Sequence, residues 1–231
     1  MIKEEELKNT YVISDIHGCY YTLLNLINKL PNDAKLIFVG DLCDRGLYSK
    51  EVIEYIKNSN HLCILGNHDK YFVDHIKECL DGVQLRWNTK KYMGGQATIN
   101  SYKNDLETIN SHIKWLNTLP QYILIKNYFI THAFCMPYFK RRNEEDKSHA
   151  MMVNRTSDKE EWEWDWEENW EDYKYINIYG HESDDEIVRN KNYICIDTAC
   201  VYGGKLTALN LASLETIQEP LDKRDTTLLE S

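Results

Sequence analysis

The stretch FVGDLCDRG, residues 38–46, ends an apolar run with two aspartates and an arginine inside five residues. A buried strand usually stops in a turn of glycine, asparagine or serine, so charges this dense need solvent or a positive partner. The segments around this stretch alternate between short apolar runs and amphipathic runs of helical period. This rhythm predicts a parallel sheet of βαβ units, in which functional residues lie beyond the carboxyl ends of the strands.

Six segments carry this alternation in the first part of the chain. The predicted strands are 11–15, 35–41 and 62–67, and the predicted helices are 20–30, 49–58 and 70–80. Residues 84–120 are predicted to be helical and irregular, and we expect them to form a cap over the site. The second part predicts a second sheet packed on the first, with strands at 122–125, 128–132, 175–181, 186–189, 193–197 and 205–211.

Length and composition fit a single globular domain. At 231 residues the chain can bury one sizeable core, so we expect one domain over 1–231. The net charge of −10 argues against a protein that coats nucleic acid, because backbone binding needs clustered lysine and arginine. No apolar run reaches the length of a membrane span, and the opening MIKEEELKNT lacks the apolar core of a signal peptide. We therefore expect a cytoplasmic protein that binds no membrane and keeps its seven cysteines reduced.

The segment SDKEEWEWDWEENWEDYKY, residues 157–175, combines four of the six tryptophans with a run of carboxylates. One interpretation is a surface insertion whose tryptophans pack against the cap while its acids face water. The other is a surface for a partner or for substrate specificity, since aromatic residues among charges are common interface anchors. Residues 219–231 are predicted to form a polar tail.

Polar side chains that can bind ligands follow the predicted strands. Asp15, Asp41 and Asn67 are separated by 26 residues each, which matches one strand-helix-strand repeat. Parallel strands would therefore bring them side by side at one edge of the sheet. The complete set at the strand ends is Asp15, His17, Asp41, Asp44, Arg45, Asn67, His68, Asp69, His132 and His181.

Carboxylate, amide oxygen and imidazole together are a ligand set for divalent first-row metals. Mn²⁺, Fe²⁺ and Zn²⁺ suit these donors, and no cysteine belongs to the set. Two metals that share a bridging carboxylate can hold a phosphate and activate the attacking water. Asp41 is the natural bridge, which explains why a charge is tolerated at the end of an apolar run.

The motifs DxH, GDxxDRG and GNH, followed by two later histidines, resemble the metallophosphoesterase superfamily. Within it they resemble the phosphoprotein phosphatase branch, which includes calcineurin, phage lambda phosphatase and symmetrical dinucleoside tetraphosphatases. The match covers about residues 11–211, and five motifs in order are far more specific than any one of them. The resemblance implies an α/β fold, a four-layer αββα sandwich of two mixed β-sheets flanked by helices. It also implies two divalent metal ions as cofactors, with Mn²⁺ the first choice and Fe or Zn as others.

The resemblance assigns the motif residues to three kinds of role. The implied metal ligands are Asp15, His17 and Asp41 for the first ion, and Asp41, Asn67, His132 and His181 for the second. The implied general acid is His68, oriented by Asp44. The implied phosphate-binding residues are Arg45, Arg155, Asn67 and Tyr202.

Three positions depart from the common family pattern. Asp69 stands where glutamate is commoner, and we expect it at a helix start or behind the ligands. His181 is followed by Glu-Ser, where many relatives have Thr and then a proline. This departure bears on which substrate is bound and not on metal binding. Ala199 stands where glycine is frequent, so we expect a negative φ at that residue.

The resemblance implies hydrolysis by direct attack of a metal-bound hydroxide, without a covalent enzyme intermediate. The leading expectation is a serine/threonine protein phosphatase, and the alternative is a symmetrical dinucleoside tetraphosphate hydrolase. A third alternative, an inactive binding module, conflicts with the presence of every ligand position. The remaining histidines are interpreted as ordinary core or surface residues, namely His61, His75, His112 and His149.

Overall fold

The computed structural model describes residues 7–158 and 165–227. Its strands form two five-stranded mixed sheets. The strands are β1 (Thr10–Ile13), β2 (Lys35–Phe38), β3 (Leu62–Cys63), β4 (Tyr122–Ile125), β5 (Tyr128–Thr131), β6 (Ile176–Tyr179), β7 (Val188–Arg189), β8 (Tyr193–Cys195), β9 (Lys205–Asn210) and β10 (Thr216–Pro220). The spatial orders are β10-β9-β1-β2-β3 and β4-β5-β6-β8-β7. Strands β1, β2 and β3 are parallel, as are β5, β6 and β8, which confirms the predicted βαβ arrangement of the first part.

Helices cover the outer face of the first sheet. They are α1 (Tyr20–Ile27), α2 (Ser49–Lys57), α3 (Asn67–Leu80), α4 (Arg86–Thr89), α5 (Gly95–Tyr102) and α6 (Leu106–Leu116). A further short helix, α7 (Ala150–Val153), packs on the second sheet. The outer face of the second sheet carries α7 and several short 3₁₀ turns instead of long helices. None of the helices in the two described ranges has the length and apolar character needed to cross a bilayer.

The core follows the alternation of side chains along each strand. In β1, Tyr11 and Ile13 face the helices while Val12 faces the second sheet. In β2, Leu36 and Phe38 face the helices in the same way. Because every other residue points to the opposite face, two apolar layers form on the two sides of the first sheet. All seven cysteines are buried, and none of them is joined to another in a disulfide.

The last two strands differ from the prediction. The strand predicted at 205–211 is β9, and it belongs to the first sheet, where it pairs antiparallel with β1. Assigning it to the second sheet was wrong, because apolar alternation shows that a strand is buried but does not identify its neighbour. Strand β10 was not predicted, since its polar residues and Pro220 are typical of an edge strand.

The described part of the predicted polar tail packs against the body of the protein. Asp225 is fully buried, and its carboxylate accepts hydrogen bonds from the backbone N–H groups of Tyr21 and Thr22 at 2.9 and 2.8 Å. It also accepts a bond from the Thr22 hydroxyl at 2.7 Å. These N–H groups are at the start of α1, where no helix carbonyl can satisfy them. Asp225 thus caps a helix that is two hundred residues away in the chain.

We expect Asp225→Ala to lower the free energy of unfolding by about 2–3 kcal/mol, because three hydrogen bonds at a buried helix start are lost. Urea unfolding followed by circular dichroism measures this change. The matched control is Asp172→Ala, whose ion pair with Lys191 is exposed on both sides and should cost less than about 0.5 kcal/mol. Equal midpoints for the two variants would contradict the capping role.

The described part of the acidic insertion packs on the second sheet. Trp166 is buried, and its ring contacts the rings of Phe134 and Trp170, with centroids 5.8 Å apart in both cases. Asp165 forms ion pairs with Lys147 at 2.9 Å and with Arg141 at 3.1 Å. These tryptophans therefore pack on the outer face of the second sheet and not against the 84–120 segment as expected. The other two, at 162 and 164, lie outside the described residues.

Candidate functional site

The candidate site lies where strands of both sheets end. Asp15 follows β1 by two residues, and Asp41 follows β2 by three. His132 comes directly after β5, and His181 follows β6 by two residues. Side chains from the two sheets therefore meet at one edge of the sandwich, as the strand-end argument predicts.

Asn67 reaches the site from a helix start and not from a strand end. Strand β3 is only two residues long, and α3 begins at Asn67, three residues earlier than predicted. The cause is Asp69, whose carboxylate accepts hydrogen bonds from the N–H groups of Gly66 at 3.1 Å and Leu42 at 2.9 Å. This capping arrangement starts the helix early and turns Asn67 and His68 toward Asp41. The expectation that Asp69 lies at a helix start is confirmed.

Asp41 lies at the centre of the cluster and is almost fully buried. Its Oδ2 is 3.4 Å from Nε2 of His17, and its Oδ1 is 3.3 Å from Nε2 of His132. Oδ1 also accepts a hydrogen bond from the backbone N–H of His68 at 2.9 Å. Burial alone would raise the pKa of Asp41, but the surrounding histidines outweigh it and hold that pKa far below its ordinary value. Asp41 is therefore a buried carboxyl group surrounded by imidazole rings.

The histidines on either side of Asp41 present lone pairs toward it. His17 donates from Nδ1 to the carbonyl of Cys43 at 2.8 Å, and His132 donates from Nδ1 to the carbonyl of Val39 at 2.8 Å. Burial lowers the pKa of both rings, so both are neutral near pH 7. A neutral ring that donates from Nδ1 keeps a lone pair on Nε2, which is the form that binds metal ions.

Acceptor atoms converge on one side of Asp41. Nε2 of His132 lies 2.8 Å from the amide oxygen of Asn67, and the same oxygen lies 3.1 Å from Nδ1 of His181. Oδ1 of Asp15 and Nε2 of His181 are buried and have no hydrogen-bond partner among the described residues. Nε2 of His132 and the amide oxygen of Asn67 are both acceptors and repel one another unless a cation lies between them, so this donor set fits a divalent ion.

Two groups of side chains could each hold one metal ion. One is His17, Asp41 and His68, and the other is Asp41, His132 and His181, with donor atoms within 4.8 Å of one another in each group. Asp41 belongs to both, as a bridging ligand would. Asp15 lies outside both groups, but it lines a cavity together with Asp41 and His181. Its Oδ2 accepts a hydrogen bond from the backbone N–H of His181 at 3.0 Å.

His68 and Asp44 form a buried pair. Nδ1 of His68 lies 2.6 Å from Oδ2 of Asp44, which is fully buried. The indole N–H of Trp87 donates to the same oxygen at 2.7 Å, and the hydroxyl of Thr98 donates to Oδ1 at 2.6 Å. With its carboxylate bonded on both oxygens, Asp44 holds the His68 ring in one orientation. Nε2 of His68 then points toward the cavity and the guanidinium of Arg45, 2.9 Å away.

The residues expected to bind phosphate line one cavity of about 270 Å³. The guanidinium of Arg45 contacts the rings of His17 and His68, and its Nε donates to the carbonyl of Tyr92 at 3.2 Å. It also lies over the ring of Tyr202, 5.2 Å from the centroid. Arg155 and Tyr202 are exposed at the rim of this cavity. The structure thus brings the expected arginines together with the metal-binding candidates.

Backbone strain is concentrated at this site. Eleven non-glycine residues in the described ranges have positive φ, a conformation that costs energy for residues with a Cβ. Five of them belong to the candidate site, namely His17, Asp41, Asp44, Arg45 and His181. Ala199 is a sixth nearby, with φ of 55°, so the expected negative φ was wrong. The turn holds Ala199 in this conformation, because the N–H groups of Tyr202 and Gly204 both donate to its carbonyl at 3.0 Å.

Two glycines allow the loops to approach this closely. A Cβ atom placed on Gly66 would overlap Oδ1 of Asp41, and one placed on Gly180 would overlap Oδ1 of Asp15. A side chain at either position would collide with a carboxylate that faces the cluster. Glycine is therefore required here by close approach and not by its conformational freedom.

Sequence reasoning missed three residues of this site. Asp197 is buried and lines the cavity, and burial raises its pKa to about 6. It follows β8 by two residues, just as Asp15 follows β1, so the strand-end argument could have found it. Trp87 and Thr98 hold Asp44, but they lie in the irregular segment, where no sequence signal indicates a contact with residue 44.

A family model for calcineurin-like phosphoesterases matches residues 8–194. A bis(5'-nucleosyl)-tetraphosphatase PrpE, described as asymmetrical, from Anoxybacillus flavithermus is 28% identical over 236 residues, which covers 90% of this chain and 93% of that protein. A crystal structure described as that of a candidate diadenosine tetraphosphatase has a TM-score of 0.65 at 22% identity, covering 93% of this chain and 94% of that one.

A protein serine/threonine phosphatase from Saccharomyces cerevisiae has a TM-score of 0.59 at 15% identity, covering 92% of this chain and 79% of that one. At these identities the two structures are evidence for the fold alone. The fold is the expected αββα sandwich of two mixed sheets. Because the family model spans most of the chain, the protein belongs to the calcineurin-like phosphoesterase family.

Proposed function

We propose that this phosphoesterase hydrolyses dinucleoside tetraphosphates with the help of two divalent metal ions. The observation that carries the proposal is the buried Asp41 carboxylate, which faces two groups of histidine nitrogens that could each hold one ion. The substrate is suggested by the relative from Anoxybacillus flavithermus, since its similarity extends over 90% of this chain. That relative is described as asymmetrical, which favours cleavage into a mononucleotide and a nucleoside triphosphate over the symmetrical cleavage that was the alternative expectation from the sequence.

The metal ligands in this proposal are the residues that the sequence suggested. They are Asp15, His17 and Asp41 for one ion, and Asp41, Asn67, His132 and His181 for the other, with Mn²⁺ as the proposed ion. Bound ions would polarise the phosphoryl oxygens and lower the pKa of a bound water. Burial raises the pKa of Asp15, and the nearby carboxylate of Asp197 raises it further. Two carboxyl groups this close repel one another when ionised, so this wall of the site favours a bound cation.

The other residues of the cavity act on the phosphate and the leaving group. Arg45 and Arg155 line the cavity from different loops and bind phosphate oxygens, which stabilises the charge of the transition state. Tyr202 supports the guanidinium of Arg45 from one side. His68, oriented by Asp44, would act in its protonated form and give the Nε2 proton to the oxygen of the leaving group.

A serine/threonine protein phosphatase is the second candidate, and one observation favours it. The cavity at the metal cluster is about 270 Å³, which suits a phosphorylated side chain better than a molecule with two nucleosides. Exposed Arg155 and Tyr202 at its rim leave the cavity accessible to a large substrate. The two candidates use the same chemistry at the phosphorus atom and differ in the group that leaves.

Turnover of diadenosine tetraphosphate and of a phosphothreonine peptide, measured side by side with Mn²⁺, distinguishes the candidates. We expect faster turnover of the dinucleotide, with AMP and ATP as products by ion-exchange chromatography. Chelation should abolish turnover of both substrates, and added Mn²⁺ should restore it. Higher kcat/KM on the peptide would reject the dinucleotide in favour of a protein phosphatase.

A further inference from the structure

A second and larger cavity lies beside the one that holds the metal cluster. It has a volume of about 570 Å³, which is in the range of small-molecule sites. One wall includes Leu47 and Tyr48, which come just before α2, and Glu51 in its first turn. The opposite wall is formed by α4, α5 and the turn between them, including Lys90 and Lys91, and Lys103 follows at the end of α5. Apart from Arg45, the residues of this lining belong neither to the sequence motifs nor to the proposed chemistry.

Positive charge is concentrated around this second cavity. Its described lining contains four cationic residues, Arg45, Lys90, Lys91 and Lys103, and a single carboxylate, Glu51. The chain as a whole has a net charge of −10, so the local excess of positive charge at this cavity is opposite in sign to the charge of the protein. The three lysine side chains are exposed, so a ligand can reach them from solvent. The ligand that this lining suits is a polyanion.

The two cavities share a wall. The turn between α4 and α5 places Tyr92 and Met93 in the metal-cluster cavity, while its flanking residues Lys90, Lys91 and Gly94 line the second cavity. Arg45 lines both, with its backbone N–H bonded to the carbonyl of Gly94 at 3.2 Å and its guanidinium 2.9 Å from Nε2 of His68. A group that leaves the phosphorus beside His68 therefore has the cationic cavity as its neighbour.

We propose that the second cavity binds the leaving nucleotide, with its phosphate chain on the three lysines. This inference rests on the proposed function, and it identifies where the part of the substrate outside the small metal-cluster cavity is held. Lysines act as point charges that suit a flexible polyphosphate chain. The half-buried Tyr48 and the exposed Leu47 at the other wall offer an apolar surface for the base and ribose. The leaving group of a phosphorylated side chain carries no phosphate chain that these lysines could bind.

The test compares two triple variants with the same net charge. The first, Lys90→Gln/Lys91→Gln/Lys103→Gln, removes the charge of the cavity. The control, Lys77→Gln/Lys114→Gln/Lys174→Gln, removes three exposed lysines that line neither cavity. Each variant is assayed with Mn²⁺ on diadenosine tetraphosphate and on p-nitrophenyl phosphate, whose leaving group has no phosphate chain.

For the cavity variant we expect KM on diadenosine tetraphosphate to rise about tenfold or more, because several charge contacts are lost together. Turnover of p-nitrophenyl phosphate should stay within twofold, and the control variant should match the parent on both substrates. Tripolyphosphate should inhibit the parent's hydrolysis of p-nitrophenyl phosphate more strongly than that of the cavity variant.

Three other outcomes would overturn the inference, and they can be told apart. If the parent cleaves the dinucleotide and both triple variants cleave it equally well, the cavity does not bind the leaving group, while the proposed function stands. If the parent cleaves only p-nitrophenyl phosphate, the proposed function fails together with the inference. If the cavity variant loses activity only on a phosphopeptide with acidic flanks, the cavity is a peptide site.

Discussion

Replacing Asp41 by asparagine is expected to lower turnover on any phosphoester by at least about 10³-fold, because the residue faces both metal-binding groups. Asparagine keeps the oxygen that accepts the N–H of His68 and tolerates the positive φ of 50° at this position. The substitution therefore removes the negative charge while preserving the local structure. Loss of that charge weakens the hold on two cations at once.

Metal content and activity should be measured on the same preparation of the Asp41→Asn protein. We expect fewer than two bound ions per chain by elemental analysis, with an unchanged far-ultraviolet circular dichroism spectrum. Asp33→Asn, at an exposed position remote from the site, is the matched control and should bind metal and turn over like the parent. Full metal content together with turnover within twofold of the parent would refute a bridging role for Asp41.

The second large effect is expected from His68→Asn, which removes the proposed proton donor. General acid catalysis contributes about 10²–10⁴-fold, so the loss should depend on how much the leaving group needs a proton. Phenyl phosphate, whose leaving group is a strong base, should lose about the full amount. p-Nitrophenyl phosphate, whose leaving group is stable as an anion, should lose much less.

A series of aryl phosphates with leaving groups of different pKa measures this dependence. In the parent, kcat should vary little along the series, whereas in His68→Asn it should fall steeply as the leaving group becomes more basic. His149→Asn, at an exposed histidine, is the control and should give the slope of the parent. An equal loss on every substrate would instead assign His68 to metal binding, which its place beside His17 and Asp41 also allows.

Asp44→Asn tests whether orientation of His68 matters. Both oxygens of the Asp44 carboxylate accept hydrogen bonds, one from Thr98 and the other from Trp87. An amide has only one oxygen, so Asp44→Asn loses one of these acceptors, and we expect the His68 ring to turn away from its present orientation. Along the aryl phosphate series, kcat of Asp44→Asn should fall as the leaving group becomes more basic, as for His68→Asn but less steeply.

The sequence alone was sufficient to predict the two sheets and most of the candidate site. Apolar runs of strand length, amphipathic helices between them and polar residues at each strand end are local properties. Parallel strands bring their carboxyl ends to one edge, so Asp15, Asp41 and Asn67 could be placed together without a structure, whereas the family resemblance implied that His132 and His181 join them. Their chemistry as metal donors follows from residue type alone.

Only the tertiary structure decided which distant segments support that site. Alternation of side chains shows that β9 is buried, but its pairing with β1 depends on which sheet has an open edge. The contacts of Trp87 and Thr98 with Asp44, the capping of α1 by Asp225 and the cationic cavity all join segments that share no periodicity. Such contacts arise from packing in three dimensions, and no local pattern in the chain encodes them.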